Sequence, residues 1–353
     1  MTKRLITSIV LLFVLSNAYI SMAQNYYWVG GTGNWTDTSH WSNISGGVGG
    51  SYFAPPTSAS RVFFDTNSFS GIGQTVTIDT SNITIKAMSW KTSLDGNFDM
   101  PTFVGLSTDS ITVKGSLFLD DFMNYAFNGK FFMTAGAMDT LYTGNNLILN
   151  DFQISHFDSL IILQDNFNSL GGLIFNRGGF KVSNRTINAR FFKSRKSNPR
   201  NLILDNAIFN LAGNDTVLYI NPTYLTRSGT NEVFNILNPT IDTVKIFMGK
   251  NSLQWHRLNL NNKHTHFISG ANFNTIQSTT SESIRLKYND TLKVPNFLVA
   301  GNCGSYLHLY CKEGVAKISG LGTPLSINYA SLKNISGLPS STYTATNSFN
   351  LGG

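Results

Sequence analysis

Short runs of β-branched and apolar residues, each closed off by Asn, Asp, Gly or Ser, recur along almost the whole chain. Representative runs lie at 75–78, 110–113, 147–149, 159–163, 202–204, 217–220, 244–247, 257–260 and 283–286. Such segments read as strands, and almost no helical period interrupts them. They are very short for a β-sandwich and too numerous for a single one. A unit that cannot bury its own apolar face must stack on copies of itself, and that requirement leads to a solenoid.

The spacing of Asp residues gives a first estimate of the unit. Asp followed by Ser or Thr and then an aliphatic residue begins at Asp109, Asp139, Asp158, Asp215, Asp242 and Asp290. Asp139 and Asp158 are 19 residues apart, and Asp158 and Asp215 are 57 apart, three times that step; the remaining intervals fit no strict period. A degenerate unit of about 20 residues predicts about 12 to 14 rungs after residue 80, a rod on the order of 60 Å long at about 4.8 Å per rung. Asn occurs 39 times. It adopts left-handed backbone at low cost, and stacked Asn side chains hydrogen-bond in ladders. Only 13% of residues are charged, against about a quarter in ordinary globular chains, so polar ladders take the place of a charged shell. The expected fold is therefore all-β: a single-stranded, right-handed parallel β-helix.

The first residues predict export. Lys3 and Arg4 precede an apolar stretch from Ile6 to Leu15, and Ser21-Met22-Ala23 places small residues at a cleavage site before Gln24. Gln at 24, where a lipoprotein would carry Cys, argues against a lipid anchor, and no later run has the roughly 20 apolar residues of a membrane span. The domain reading is a signal peptide over 1–23, an N-terminal cap segment over 24–80, and solenoid rungs over 81–353, which end inside what should be a closing rung. A secreted, extracellular or outer-membrane-surface location follows. The formal charge of +7 is a mild excess, and with export it excludes nucleic acid as the expected partner.

Cys303 and Cys311 are the only cysteines. In an oxidising compartment such a pair reads as a disulfide, with Gly304 allowing a tight reversal. No cofactor and no metal site is expected.

Residues 26–42 carry Trp28, Trp35 and Trp41, three of the five tryptophans, on a Gly-rich frame. Two readings stand side by side: a cap over an open solenoid end, which is preferred, and a sugar-stacking platform. The motifs Trp28-Val-Gly-Gly-Thr-Gly-Asn-Trp35, His40-Trp41-Ser42, Pro55-Pro56, Val62-Phe-Phe-Asp65 and Gln74-Thr-Val-Thr-Ile78 follow one another in order. Leu325-Ser-Ile-Asn-Tyr329 and Asn347-Ser-Phe-Asn-Leu-Gly352 close the chain. Together they resemble a recurrent β-helix module of adhesin-like, gliding-motility-associated bacterial surface proteins. That resemblance implies a cell-surface structural or adhesive role, often reached by type IX secretion. Members usually continue into further modules and a sorting domain.

Polysaccharide-cleaving β-helices need clustered carboxylates, and the only adjacent acidic pair is Asp120-Asp121. Arg285 and Lys287 share a strand face, as do His264 and His266; neither pair makes a site alone. A basic run supplies Arg185, Arg190, Lys193, Arg195, Lys196 and Arg200 without an intervening acid. The expectation is a non-catalytic, secreted structural or adhesive module, monomeric or part of a larger surface protein. The alternative is a polysaccharide-binding or polysaccharide-cleaving, pectate-lyase-like β-helix, with Trp28, Trp35, Trp41 and the basic run as contacts to an extracellular polysaccharide.

Overall fold

The computed structural model describes residues 24–91, 100–134, 136–195, 198–237, 243–249, 253–278 and 280–352. The leader, Lys196 and Asp242 lie outside them. The chain winds as a β-solenoid of about 12 turns, with strands stacked mostly in parallel on three faces. One 3-10 turn, Thr38–His40, is the only helix among the described residues, so none is long and apolar enough to cross a membrane.

In the second turn the chain enters the first face as Arg61–Asp65, the second as Thr75–Thr77 and the third as Asn82–Ile85. Each strand pairs in parallel with the strand one turn later, so Val62 stands on Met88, which stands on Leu117. On the third face Ile83 stands on Ile111, which stands on Phe131. Period-2 alternation sends these residues inward and their neighbours outward. A continuous core of aliphatic and aromatic side chains results. Inside it Phe103, Phe127, Phe131, Phe152 and Phe167 follow one another at centroid separations of 5.2 to 5.8 Å. Each buried ring or aliphatic chain of this kind contributes about 1.5–3 kcal/mol.

Two longer strands turn corners without a break. Phe152–Leu163 begins on the third face against Phe131–Met133 and ends on the first face against Asp139–Leu141. Leu173–Lys181 repeats the path one turn later. Its bend falls at Gly178, whose φ of +85° favours glycine. A Cβ there would lie 2.3 Å from the His156 ring.

Turns use Asn as expected. Among the described residues, seven of the twelve non-glycine positions with positive φ are Asn, including Asn184, Asn206 and Asn231 at successive turns. Their side chains are linked, Asn206 to Asn184 at 2.9 Å and Asn231 to Asn206 at 3.2 Å. A longer ladder climbs the outer side of the second face. Asn188 donates to Asn168, Asn210 to Asn188, Asn235 to Asn210 and Asn259 to Asn235, at 2.6–2.7 Å.

Two sequence expectations are corrected. The Asp positions do not mark one column. Asp139 enters the first face and stands on Ile161, whereas Asp215 enters the third. Loop lengths differ from rung to rung, so a motif period in sequence is not the period in space. The cysteines are both free. Cys311 is the last inward residue of Leu307–Cys311 and is buried, its Sγ donating to the Glu313 carbonyl at 3.3 Å. Cys303 lies exposed in the preceding turn, and a disulfide needs the two Cβ vectors to face each other.

Candidate ligand-binding surface

The aromatic segment was a candidate sugar platform, and burial removes it. Trp28, Trp35 and Trp41 are 0–1% exposed. Trp41 meets Trp28 and Trp35 edge-on, both at 5.0 Å, and Trp28 stacks on His40 at 4.6 Å. Two of the indole N–H groups are satisfied internally: Trp28 donates to the Gly31 carbonyl at 2.7 Å and Trp41 to the Trp35 carbonyl at 2.9 Å. No face of these rings is open to a sugar.

The basic run is dispersed by the winding. Arg185 and Arg190 flank the second-face strand Thr186–Ala189, and Arg190 donates to Asn214 at 3.0 Å. Lys193 and Arg195 belong to the third face. Lys193 sits 3.7 Å over the Phe191 ring and Arg195 5.0 Å from Tyr219. Burial, then the charge of Arg195, lowers the Lys193 pKa. Arg200 is withdrawn altogether. It is 2% exposed and donates to the carbonyls of Ser194, Asn198, Asn221 and Thr223, and burial brings its pKa down to about 10. It ties adjacent turns together, its guanidinium engaged by backbone carbonyls. Among the described members of the proposed cluster, the structure brings only Lys193 and Arg195 side by side on one face.

Asp120 and Asp121 also separate. Asp120 is buried and accepts from the Phe122 backbone N–H at 3.0 Å, a turn-closing role, while Asp121 is exposed. Among the described residues no three His, Cys, Asp or Glu side chains are grouped to hold a metal ion.

What the winding does create is a groove along the outer side of the first face. Two depressions, of about 650 and 590 Å³, share Gly136 and Ala137 and so run into one another. The outer columns explain the first. Tyr27, Phe63, Ser89, Phe118 and Tyr142 are successive neighbours up the face. Phe63 stacks on Tyr27 at 5.0 Å, and Phe118 leans on Tyr142 at 6.4 Å. Only Ser89 lies between the two aromatic pairs. Two rung steps, about 9.6 Å, separate Phe63 from Phe118, leaving a slot of about a sugar ring's thickness with an aromatic group on each side. Ala87 and Gly115 keep the floor low.

Arg61, Lys86, Lys91 and Lys114 line the same depression, against the single carboxylate of Asp139, which accepts from Ser116 at 3.1 Å. All four cations are exposed, and none is in an ion pair among the described residues. Lys91 is 5.9 Å from the Phe118 centroid, so charge and aromatic surface coincide. The second depression continues past Met138, Leu160, Gly179, Asn201, Tyr224 and Thr226. From Phe63 to Thr226 the groove spans seven rung steps, about 34 Å.

Sequence reading missed these residues, though a signal existed. Arg61-x-Phe63, Ala87-x-Ser89-x-Lys91 and Ser116-x-Phe118 are outward alternations that stack only once the register is known. No protein-family model matches the chain, and no curated protein or solved structure matches it either.

Proposed function

We infer that the chain is a secreted surface module of adhesive type, which holds an extended acidic polysaccharide along its first face and does not cleave it. The observation that carries this is the first-face groove, in which an aromatic slot and four unpaired cations lie on one axis-parallel track. A linear glycan offers flat C–H faces to aromatic rings and carboxylates or sulfates at a regular spacing to cations. The leader pattern of residues 3–23 and the resemblance to gliding-associated adhesin modules support placement outside the cell. A rigid rod without clustered carboxylates along the groove suits retention over turnover.

The test is retention on immobilised alginate, hyaluronan and dextran. Binding to the acidic glycans that weakens with salt is expected, with little binding to dextran. Lys91→Ala combined with Lys114→Ala should cut affinity by about tenfold, roughly 1.4 kcal/mol. Unchanged retention in that variant, or release of shortened chains from any substrate, would overturn the reading.

A further inference from the structure

A second outward grid lies on the third face near the other end of the rod. In one column Lys245, His266, Arg285, Tyr310 and Lys333 stand on one another in register. In the neighbouring column stand His264, Ser283, His308 and Ser331. All of them but Lys245 line a depression of about 470 Å³, with Thr243 at its edge and no carboxylate among the lining residues. It shares no residue with the first-face groove.

Its polar groups are already oriented. His308 Nδ1 meets the Ser331 hydroxyl at 2.5 Å and His264 Nδ1 meets Ser283 at 2.9 Å. When Nδ1 accepts from Ser331, the His308 Nε2–H is left as a donor. Arg285 Nε is buried without a hydrogen-bond partner. Lys333 is exposed and forms no ion pair among the described residues, whereas Lys245 is taken up by Asp215 at 2.6 Å. Glu282, beside the depression, is engaged by Lys263 at 3.3 Å and lies 3.9 Å from His264 Nε2. His266 is held neutral: burial first, then the charges of Arg285 and Lys245, lower its pKa to about 4.

The geometry points to a binding site for a sulfate or phosphate monoester, seated over Tyr310 between Arg285 and Lys333. The two cations flank Tyr310 one rung above and one below, about 4.8 Å each way, and His308 shares the Tyr310 strand. Donors therefore approach from several directions. A tetrahedral ester with three terminal oxygens can accept from all of them, whereas a planar carboxylate offers its lone pairs in one plane. A depression that gathers Arg285, Lys333 and His308 with no acid among its lining residues suits such an anion.

The experiment uses NMR titration of the histidine ring signals with glucose 6-sulfate and glucose 6-phosphate, and with glucuronate and glucose as comparisons. Saturable shifts of the His308 resonances with either ester are expected, and the tighter ester names the source. Lys333→Met should weaken binding about tenfold. Because Arg285 is partly buried, Arg285→Lys is the companion variant, keeping charge but losing the fork. The first-face variant Lys91→Ala should leave this titration unchanged, so failure here is separable from failure of the polysaccharide reading. Absence of saturable shifts with both esters, or equal binding of glucuronate, would overturn the assignment.

Discussion

His156 shows how one residue is committed to a role by its neighbours. It is fully buried at the corner between third and first faces, with Nδ1 at 2.6 Å from Ser159 Oγ and Nε2 at 2.8 Å from the Gly179 carbonyl. Removal from water disfavours the imidazolium, and its pKa falls below the ordinary 6.5. His266 is displaced the same way, to about 4. In the pH range below 6.5 the unfolded chain takes up protons that the folded chain refuses. Their contribution to stability is thus fully present above 6.5 and is lost as pH falls through the folded-state values, which for His266 is about 4. Urea titrations over that range should show the decline, and His156→Gln should reduce its slope. A slope unchanged in both His156→Gln and His266→Gln would place the pH sensitivity elsewhere.

Among elements, the Asn column on the second face is the clearest case of local chemistry serving register. Strands this short are held by few backbone bonds, and a one-residue slip would send their core residues outward. Each amide that donates to the turn before and accepts from the turn after penalises such a slip, because the chain of bonds breaks wherever register is lost. Asn210 occupies the middle, between Asn188 and Asn235. Asn210→Ala should cost about 1–2 kcal/mol, from two lost bonds between half-buried groups. Asn43→Ala, at an exposed loop position, serves as reference. Equal losses at both sites, measured by denaturant unfolding, would show that the ladder contributes nothing beyond composition. The element scale also explains the cysteines: strand alternation turns the Cys311 thiol inward, which spacing alone could not reveal.

At the scale of the whole molecule, each turn touches only its neighbours, so stability is close to a sum of turn and interface contributions. Trp35→Ala removes a buried ring shared by the first turns and should cost about 3–5 kcal/mol. The loss should be local. Amide exchange should accelerate over the strands between Asn25 and Ile85, while strands from His264 onward keep their protection. Uniform acceleration along the rod would show that it unfolds as one unit. The same arrangement produces both grooves, since any outward triad of residues one turn apart becomes a track along the axis.

The division between what sequence and tertiary structure decided follows from range. Strand existence, all-β class, stacking of turns and Asn in left-handed positions depend on residues and their near neighbours, and all were legible from the short apolar runs. The burial that Trp28, Trp35 and Trp41 share was legible only as one of two readings. Which residues meet across turns was not legible, because partners such as Phe63, Ser89 and Phe118 are 26 and 29 residues apart. Those steps vary with loop length, and loops are nearly free to vary because closing a longer one costs little. Only the wound chain cancels the differences and lines up the columns. It therefore decided that the 185–200 basic run would scatter, that Cys303 and Cys311 would part, and that separate cations, aromatics and histidines would gather into two grooves.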